Sequence, residues 1–483
     1  MAGAATAGSD AARAGERRAG SVARLLAGSP QLTLEDHLSR HGPPPFADGR
    51  GAGATGLITA VEQAGLTGRG GAGFPAGRKM RAVAEAGRHG GPLRSQTGTV
   101  VIANGAESEP ASAKDRLLLS QAPHLVLDGM VLAAEAVGAS RAYLCVHAGL
   151  AGQELLRDLR DAVVSRERAG LSRVPVQVVD VPAGYVASQE TALVGLLNGT
   201  GARPSYIPPR PAERGVRRHP TLVQNVETLA CIALIARYGP AWFRELGTAA
   251  APGTALITVS GAVSRPGVYE VALGTTIGQA LELAGGLAEP AQAVLAGGYF
   301  GGWLPLPAAR RAQLTDQSLR TAGAALGPGV LVVLPASSCP LAEMARVTSY
   351  LASQSAGQCG PCLNGLPALA DALGHVAFGQ PGEDLLRWID QLLGLVSGRG
   401  ACHLPDGAAG LVASALAAFH DDIRQHAAHG PCGRAARSPV LPLPGPPAAA
   451  LPQAAPSGAV PAGAPHAAPA ARPAPGPGPG GPT

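Results

Sequence analysis

The sequence predicts a parallel α/β domain, followed by a small β-rich domain and a C-terminal helical bundle. Three patterns support this fold class. Strand-like and helix-like apolar segments alternate after residue 99, short β runs surround a Pro-Gly turn at residues 266–267, and helical periodicity dominates beyond residue 340. Because strands that alternate with helices build parallel sheets, the first domain is expected to contain one.

The predicted elements of the first domain follow a regular order, and residues 57–64 form a helix before the sheet begins. The strands and helices expected after it are 99–103, 123–137, 141–146, 151–168, 174–181 and a helix that begins near Ser188. Ser188 is expected to cap that last helix, with Glu190 in its first turn, where the helix dipole favours an acid.

The later elements are expected to form two further domains. The predicted helices there are 277–285, 341–354, 366–374, 383–396 and 408–427. The predicted boundaries are a poorly ordered extension (1–50), the α/β domain (51–250), the β-rich domain (251–337), the helical domain (338–432) and a disordered Pro/Ala/Gly-rich tail (433–483). The low-complexity composition of the tail cannot bury enough apolar surface to offset ordering entropy.

Composition excludes several classes of function. The net charge of +5 is spread along the chain, and no basic block interleaved with aromatic residues indicates nucleic-acid binding. No uninterrupted apolar run reaches the ~18 residues needed to cross a bilayer, so direct membrane insertion is not expected. The seven cysteines are odd in number and three cluster together, which favours metal or cluster ligation in a reducing compartment.

The most informative segment is the glycine-rich loop at residues 68–79. Its glycines, Gly68, Gly70 and Gly71 among them, let backbone amides face an anion, while Arg69 and Lys79 would add positive charge. Lys79 and Lys114 are the only lysines in the chain. The loop matches the dinucleotide pattern GxGxxG, but a helix rather than a strand precedes it, so that interpretation is rejected. An ordinary flexible loop remains the alternative.

The cysteine spacing indicates a cluster site. Cys359 and Cys362 are three residues apart, and Cys402 follows forty residues later. A redox dithiol and buried inert thiols are the alternatives. Cys145 and Cys231 lie in a predicted strand and a predicted helix and are expected in the core. The spacing His426-x-x-His429-x-x-Cys432 suits metal ligands, but near a chain end these residues are expected to be solvated.

Taken together, these segments resemble the flavoprotein subunit of proton-pumping NADH:quinone oxidoreductase, a family that also covers subunits of related soluble hydrogenases and formate dehydrogenases. The resemblance covers residues 50–432, and several short motifs occur in the family's order. The matching segments are 68–79, 104–116, 184–193, 224–228, the β-grasp-like SLBB insert at 255–302 and the cluster-binding helices at 340–432.

The resemblance implies an FMN site, an NADH site and a [4Fe–4S] cluster. Glu107 and Glu109 would be the catalytic residues lining the flavin pocket, and Phe74 would stack on the NADH adenine. Cys359, Cys362 and Cys402 would bind the cluster. The implied cofactor-binding residues are Gly68, Arg69, Gly70, Gly71, Phe74, Lys79, Asn104, Tyr185, Gln189, Glu190, Gln224 and Asn225.

One departure from the family concerns the cluster, because Ala356 stands where the family has a fourth cysteine. Cys339 is a poor substitute, since the intervening helix of about a dozen residues would separate it by about 18 Å. The hypothesis is a fourth ligand from Ser355, His403, Cys432 or water, or a three-iron cluster.

A second departure concerns the nicotinamide site. Ala82 and Arg210 replace stacking aromatics, Gln189 replaces a glutamate near the ribose, and Ala106 and Gln224 replace an Asp and an Asn of the flavin site. The loss of two rings would weaken NADH binding by about 1–3 kcal/mol. The hypothesis that follows is exchange with a small ferredoxin, or with NADPH.

The function expected is electron transfer from NADH through FMN to the cluster, in a cytoplasmic protein, free or peripheral to a membrane complex. Its partners would be other redox subunits or a small ferredoxin. A ferredoxin-linked flavoprotein that ignores NADH is the first alternative, and a non-catalytic SLBB-type binding or assembly module is the second.

Overall fold

The computed structural model describes residues 23–26, 33–45, 54–88, 98–147 and 153–444. The chain divides into two units, Met1–Gly445 and Pro446–Thr483, and all features below belong to the first. Within the described residues no single helix is long and apolar enough to span a membrane, although one bent pair, Lys114–Gln121 with Pro123–Val137, meets the length and composition requirement.

The first domain is built on the expected parallel sheet, with strand order β3-β2-β1-β4. Every neighbouring pair in it is parallel. The strands are β1 (Thr99–Gly105), β2 (Ala139–Val146), β3 (Val176–Asp180) and β4 (Thr221–Asn225). Strand β1 is inner, and its apolar run is buried on both faces, as parallel sheets require.

Helices cover this sheet, and the predicted helix at 123–137 is confirmed as α5. Pro123 occupies its first turn and Gly138, with φ of 71°, ends it. A Cβ at Gly129 would lie 1.8 Å from the Leu229 carbonyl oxygen, so glycine permits α5 and α8 to cross closely. The helices are α1 (Leu34–His41), α2 (Ala54–Ala64), α3 (Ala76–Arg88), α4 (Lys114–Gln121), α5 (Pro123–Val137), α6 (Gln153–Arg168), α7 (Glu190–Leu197) and α8 (Val226–Arg244).

A buried ion cluster around Asp128 joins four of these helices. The Asp128 carboxylate of α5 accepts bonds from His37 of α1 at 2.7 Å and from Arg166 of α6 at 2.5 Å, and it also pairs with Arg237 of α8. Burial alone would raise the pKa of Asp128, but the hydrogen bond from His37 and the two guanidinium groups lower that pKa to about 2. The charge is therefore fully paired inside the core.

The second domain is a five-stranded mixed sheet of order β6-β5-β9-β7-β8, which confirms the predicted β-rich domain. Strands β5 and β9 are parallel, and the other pairs are antiparallel. A capping box between Thr276 and Gln279 begins α9. The elements are β5 (Thr254–Gly261), β6 (Gly267–Ala272), α9 (Ile277–Leu283), β7 (Ala291–Ala296), β8 (Gly302–Pro305), α10 (Leu306–Ala309), α11 (Asp316–Thr321) and β9 (Val330–Pro335).

The third region is helical, as expected, but the helix predicted at 408–427 is two helices. The chain breaks at Phe419, whose φ of −116° and ψ of 29° leave the helical region. The buried Phe419 ring packs edge-on against Trp303 with centroids 5.2 Å apart. The helices are α12 (Pro340–Ser353), α13 (Leu366–Phe378), α14 (Glu383–Val396), α15 (Leu404–Ala418) and α16 (His420–His429).

Both predicted disordered ends contain ordered parts. In the 1–50 extension, α1 is a regular helix, and the backbone amides of residues 24–26 donate to the Glu270 carboxylate at 2.8–3.1 Å. In the 433–483 tail, the amides of Val440 and Leu441 donate to Glu343 at 2.7 and 3.2 Å. Long-range bonds to folded elements hold these segments, a property that local composition does not reveal. Residues 1–22, 27–32, 46–50 and 445–483 of the two predicted segments lie outside the described residues.

Candidate functional site

The candidate site lies where β1 and β4 end. Asn104 and Asn225 are register partners at the carboxyl ends of these parallel strands. The Asn104 side-chain amide donates to the Ser188 carbonyl at 2.9 Å, and the Asn225 side-chain amide donates to the Asn104 carbonyl at 3.3 Å. Ligands of open α/β sheets bind at this edge, so both asparagines occupy the expected place.

The glycine loop is a hairpin that packs beside Asn225. A bridge between Thr67 and Pro75 closes it. A Cβ added at Gly70 would lie 3.2 Å from the Asn225 Cβ, so Gly70 permits this close approach. Gly71 and Gly73 have φ angles of 115° and 63°, which favour glycine. The hairpin therefore packs directly against the end of β4.

Only part of the hairpin backbone is available to a ligand. The Gly68 amide donates to the Phe74 carbonyl at 2.8 Å, and the Arg69 amide donates to the Thr228 hydroxyl at 2.9 Å. No hydrogen bond among the described residues uses the amides of Gly70, Gly71 or Gly73. The row of free amides expected from the sequence therefore begins at Gly70 rather than at Gly68.

The Arg69 side chain differs from the expectation that it adds charge to this loop. Its guanidinium is buried and donates to the Thr67 hydroxyl at 2.8 Å and to the Thr254 carbonyl at 3.1 Å. It also lies 3.9 Å from the Glu227 carboxylate. These partners fasten the hairpin to the start of the second domain.

A buried charge network lies beneath the site and was only partly visible in the sequence. The Lys114 ammonium is 2.7 Å from Asp115 and 2.8 Å from Glu227, and it reaches the Asn225 side-chain oxygen at 3.4 Å. Burial alone would lower the pKa of Lys114, but the two carboxylates raise it above its ordinary value. The rarity of lysine drew attention to Lys114, whereas no sequence signal marked Asp115 or Glu227.

Lys79 connects the hairpin to helix α7. Its ammonium lies 2.6 Å from the Glu190 carboxylate, and both side chains are partly exposed. Glu190 stands in the first turn of α7 as expected, but the cap is Gln189 rather than Ser188. The Gln189 side-chain oxygen accepts from the Thr191 amide at 2.8 Å, so this oxygen is already engaged.

Glu107, expected to be catalytic, caps helix α4 instead. Its carboxylate accepts from the Ser112 hydroxyl at 2.5 Å and from the amides of Asp115 and Arg116 at 3.1 and 3.2 Å. Burial and the neighbouring Asp115 raise the pKa of Glu107. These bonds explain why a glutamate occupies this position, because a negative charge is stabilised at the N-terminus of a helix.

Glu109 and Tyr185 meet at the junction of the three domains. One Glu109 oxygen accepts from the Tyr185 hydroxyl and from the Tyr299 amide, each at 2.8 Å. The Tyr185 amide donates to Gln354 of the helical region at 3.0 Å, and its ring packs 5.0 Å from that of Phe300. Burial raises the pKa of Glu109 to about 7, although the hydrogen bonds from Tyr299 and Tyr185 act in the opposite direction.

Two residues of the predicted set have no protein partner that explains them. The side-chain nitrogen of Gln224, one residue before Asn225, is buried and has no hydrogen-bond partner among the described residues. Phe74, at the hairpin, is 46% exposed, with the Arg78 guanidinium 5.9 Å from its ring centroid. A buried amide nitrogen is costly to leave unpaired, and the exposed Phe74 ring is accessible to a ligand.

The segment after α7 contributes features that sequence reasoning missed. Tyr206, four residues before Arg210, is 62% exposed. A cavity of about 770 Å³ lies between α7 and this segment, and its lining does not include Tyr185 or Asn225. Four of its lining residues are the arginines Arg203, Arg214, Arg217 and Arg218. The cavity is strongly basic, so it suits an anionic group.

The three predicted cluster cysteines are close enough to affect one another. Burial raises the pKa of Cys362 to about 11; a hydrogen bond with Ser355 lowers it, whereas Cys359 and Cys402 raise it. Cys362 lies in a π-helical turn, Pro361–Gly365, that precedes α13. Such turns often mark functional positions in helices.

The candidates for the missing fourth ligand are placed differently. Ser355 adjoins Ala356, the position of the missing cysteine, and its hydroxyl oxygen accepts the Gly357 amide at 3.0 Å. The His403 side chain is 85% exposed and lies 3.5 Å from Asp406. Cys432 groups with Cys339 and His426 rather than with the three cluster cysteines. Ser355 is therefore the candidate best positioned by the protein.

Comparison with protein families assigns each domain. Residues 61–234 match the Nuo51 FMN-binding domain, and residues 256–314 match the SLBB domain. Residues 342–426 match the NADH-ubiquinone oxidoreductase-F iron-sulfur binding region. The expected fold class and its two cofactor-binding regions are confirmed.

Known proteins match over most of the described chain. It is 31% identical to the F 2 subunit of the NADH-quinone oxidoreductase of Rhizobium meliloti (strain 1021), over 77% of this chain and 88% of that protein. It is 32% identical to the F subunit of the NADH-quinone oxidoreductase of Streptomyces coelicolor (strain ATCC BAA-471 / A3(2) / M145), over 77% of this chain and 82% of that protein.

Among solved structures, an NAD⁺-reducing [NiFe]-hydrogenase in the H₂-reduced state matches with a TM-score of 0.69 and 31% identity. The match covers 77% of this chain but only 62% of the hydrogenase chain. Sequence, domain order and fold agree, and the chain therefore belongs to the family of NADH-quinone oxidoreductase F subunits.

Proposed function

We propose that this protein transfers electrons from NADH through FMN to an iron–sulfur cluster. The observation that carries the proposal is the contact of the glycine hairpin, at Gly70, with Asn225 at the end of β4, where Asn104 is its register partner on β1. The amides of Gly70, Gly71 and Gly73 in this hairpin have no hydrogen-bond partner among the described residues. Backbone amides that face outward from such a loop bind anions. Bound FMN would supply the conversion of a two-electron donor to one-electron steps.

Several side chains fit a flavin beside this hairpin. The unpaired nitrogen of Gln224 would gain a hydrogen-bond partner, which removes the cost of leaving it buried alone. Lys79 would provide charge for a phosphate, with its Glu190 partner held at 2.6 Å on the first turn of α7. The network of Lys114, Asp115 and Glu227 is fully paired, so we assign it to holding Asn225 in place rather than to the ligand.

The donor site is proposed at the open side of the hairpin. Phe74 is exposed and would stack on an adenine ring, while Tyr206 supplies a second exposed aromatic in the segment that lacks one at Arg210. The arginine-lined cavity beside α7 would attract the phosphates of a dinucleotide. These features favour a nicotinamide donor over a ferredoxin.

For the cluster, we propose Cys359, Cys362 and Cys402 with Ser355 as the fourth ligand. Ser355 adjoins Ala356, the position of the missing cysteine, whereas Cys432 groups with Cys339 and His426. An oxygen ligand in place of a thiolate changes the donor set and so tunes the potential of a cluster.

The relatives are subunits, so we propose that this protein works with other redox subunits in the cytoplasm, peripheral to a membrane complex. The matched hydrogenase is named for the reduction of NAD⁺. For this chain we propose only the reaction with a nicotinamide, and not the oxidation of hydrogen.

The test is anaerobic stopped-flow spectroscopy of protein reconstituted with FMN, iron and sulfide. We expect NADH to bleach the flavin faster than NADPH or reduced ferredoxin does, and electrons to appear next in the cluster signal. Bleaching by ferredoxin alone would favour the ferredoxin-linked alternative. Protein that binds no flavin would leave the SLBB-type binding module as the better interpretation.

A further inference from the structure

We propose that Cys339, His426 and Cys432 form a mononuclear zinc site, separate from the iron–sulfur ligands. Their donor atoms all lie within 4.8 Å of one another, and among the described residues no other group of three such side chains meets this spacing. Cys339 and His426 are buried and Cys432 is partly exposed. The expectation that His426 and Cys432 are solvated near a chain end is therefore wrong.

The imidazole is held in the orientation that a metal requires. His426 Nδ1 lies 3.2 Å from the Val376 carbonyl oxygen, so it carries the proton and donates it there. His426 Nε2 is then unprotonated and faces the Cys339 sulfur at 3.8 Å; its lone pair accepts the Cys432 amide at 3.2 Å, a bond that the metal ion would replace. A carbonyl bonded to the remote ring nitrogen is the usual support of a metal-ligating histidine.

The spacing suits one ion rather than a cluster. Zinc lies about 2.3 Å from thiolate sulfur and about 2.0 Å from imidazole nitrogen, so its tetrahedral ligands are about 3.3–3.8 Å apart. The Cys339–His426 separation of 3.8 Å already meets this value. Two thiolates would neutralise the charge of the ion. Three protein donors leave a fourth position for water, which the partial exposure of Cys432 allows.

The ion would fasten three separate segments. Cys339 begins α12, His426 lies on α16, and Cys432 belongs to the segment that follows α16. That segment continues to Pro442, whose carbonyl accepts the Tyr299 hydroxyl. The Tyr299 amide in turn donates to Glu109 at 2.8 Å. The role we assign to the zinc is to lock the C-terminal segment against the junction of the domains.

The test is metal analysis of the full-length protein, purified anaerobically and equilibrated with Zn²⁺. We expect about one zinc per chain in the wild type, and at least about tenfold less in Cys339→Ser and Cys432→Ser. The matched control, Cys359→Ser, should lose cluster iron but keep its zinc. Cys145→Ser, a core thiol outside both sites, should keep both. Cobalt substitution should give the ligand-field bands of a tetrahedral thiolate site.

Cys432→Ser keeps the test valid if Cys339→Ser fails to fold, because Cys432 is partly exposed. Zinc-free wild-type protein, zinc retained by the Cys432 variant, or a site filled by iron or copper would overturn the proposal. A Cys339–Cys432 disulfide in the anaerobic protein, detected by mass spectrometry, would overturn it as well. None of these readouts depends on flavin reduction, so they separate this site from the proposed electron transfer.

Discussion

The carboxyl group of Glu109 should make the stability of this protein depend on pH. Its pKa is about 7 in the folded chain against an ordinary value of 4.5. The folded state therefore binds more protons than the unfolded state between those values, and stability falls as pH rises through that window. A shift of this size corresponds to about 3 kcal/mol. The loss is complete above the folded pKa.

Glu109→Gln should remove most of this dependence, because an amide has no proton to lose in this range. The variant gives up the bond from the Ala111 amide, which measures 3.3 Å, at a cost of about 1 kcal/mol. We therefore expect it to be less stable than the wild type by about 1 kcal/mol near pH 5, and more stable by about 2 kcal/mol near pH 8.

The assay is urea unfolding of flavin-loaded protein across about pH 5–8. The two stability curves should cross within this interval. Glu85→Gln changes an exposed carboxylate on α3 and should retain the wild-type slope. If the wild-type and Glu109→Gln proteins show the same slope, Glu109 does not titrate in this window and the reasoning from burial is refuted.

Three further predictions concern the site and its support. Gly70→Val should abolish flavin binding in a folded protein, because an added Cβ would lie 3.2 Å from the Asn225 Cβ and the larger side chain would displace Asn225. Gly68→Ala, with 3.5 Å of clearance, should bind flavin normally, and flavin fluorescence distinguishes the two variants. Lys114→Met should lower the free energy of unfolding by about 3–5 kcal/mol because two buried carboxylates lose their partner, but the partly exposed Lys79→Met should lose flavin affinity at a stability cost below about 1 kcal/mol. Equal stability losses in the two lysine variants would contradict this assignment. Asp128→Asn should cost about 3–5 kcal/mol in denaturant unfolding, since the buried guanidinium groups of Arg166 and Arg237 lose their anionic partner, and an unchanged midpoint would show that the cluster contributes nothing.

The elements of the fold were largely predictable because their signals are local. The apolar runs that predict β1 and α5 need only neighbouring residues, and both were found within two residues of their observed ends. The break at Phe419 was missed because it depends on Trp303, more than a hundred positions away. A hydrophobic pattern on either side of Phe419 is continuous, so periodicity alone joins α15 to α16.

The candidate site was predictable as a set of segments but not as a set of roles. The matched segments contain Asn104, Asn225 and the glycine hairpin, and the structure brings the two asparagines together at the strand ends, although β4 was not among the predicted strands. Arg69 and Glu107 look like ligand-binding residues by type and position, yet each is engaged within the protein. Whether such a side chain binds a ligand or another part of the protein depends on residues that are distant in sequence but adjacent in the fold. The spacing of residues in the sequence does not reveal these neighbours.

The hydrogen bond from Tyr299 to the Pro442 carbonyl has a consequence for biosynthesis. A chain grows from its N-terminus, and its earlier domains fold while the rest is still being made. The neighbourhood of Glu109 is synthesised early, but its last contact comes from residues translated more than three hundred codons later. A nascent chain that has not yet reached Pro442 lacks this hydrogen bond at the junction of the domains. The junction is therefore completed only after Pro442 has left the ribosome.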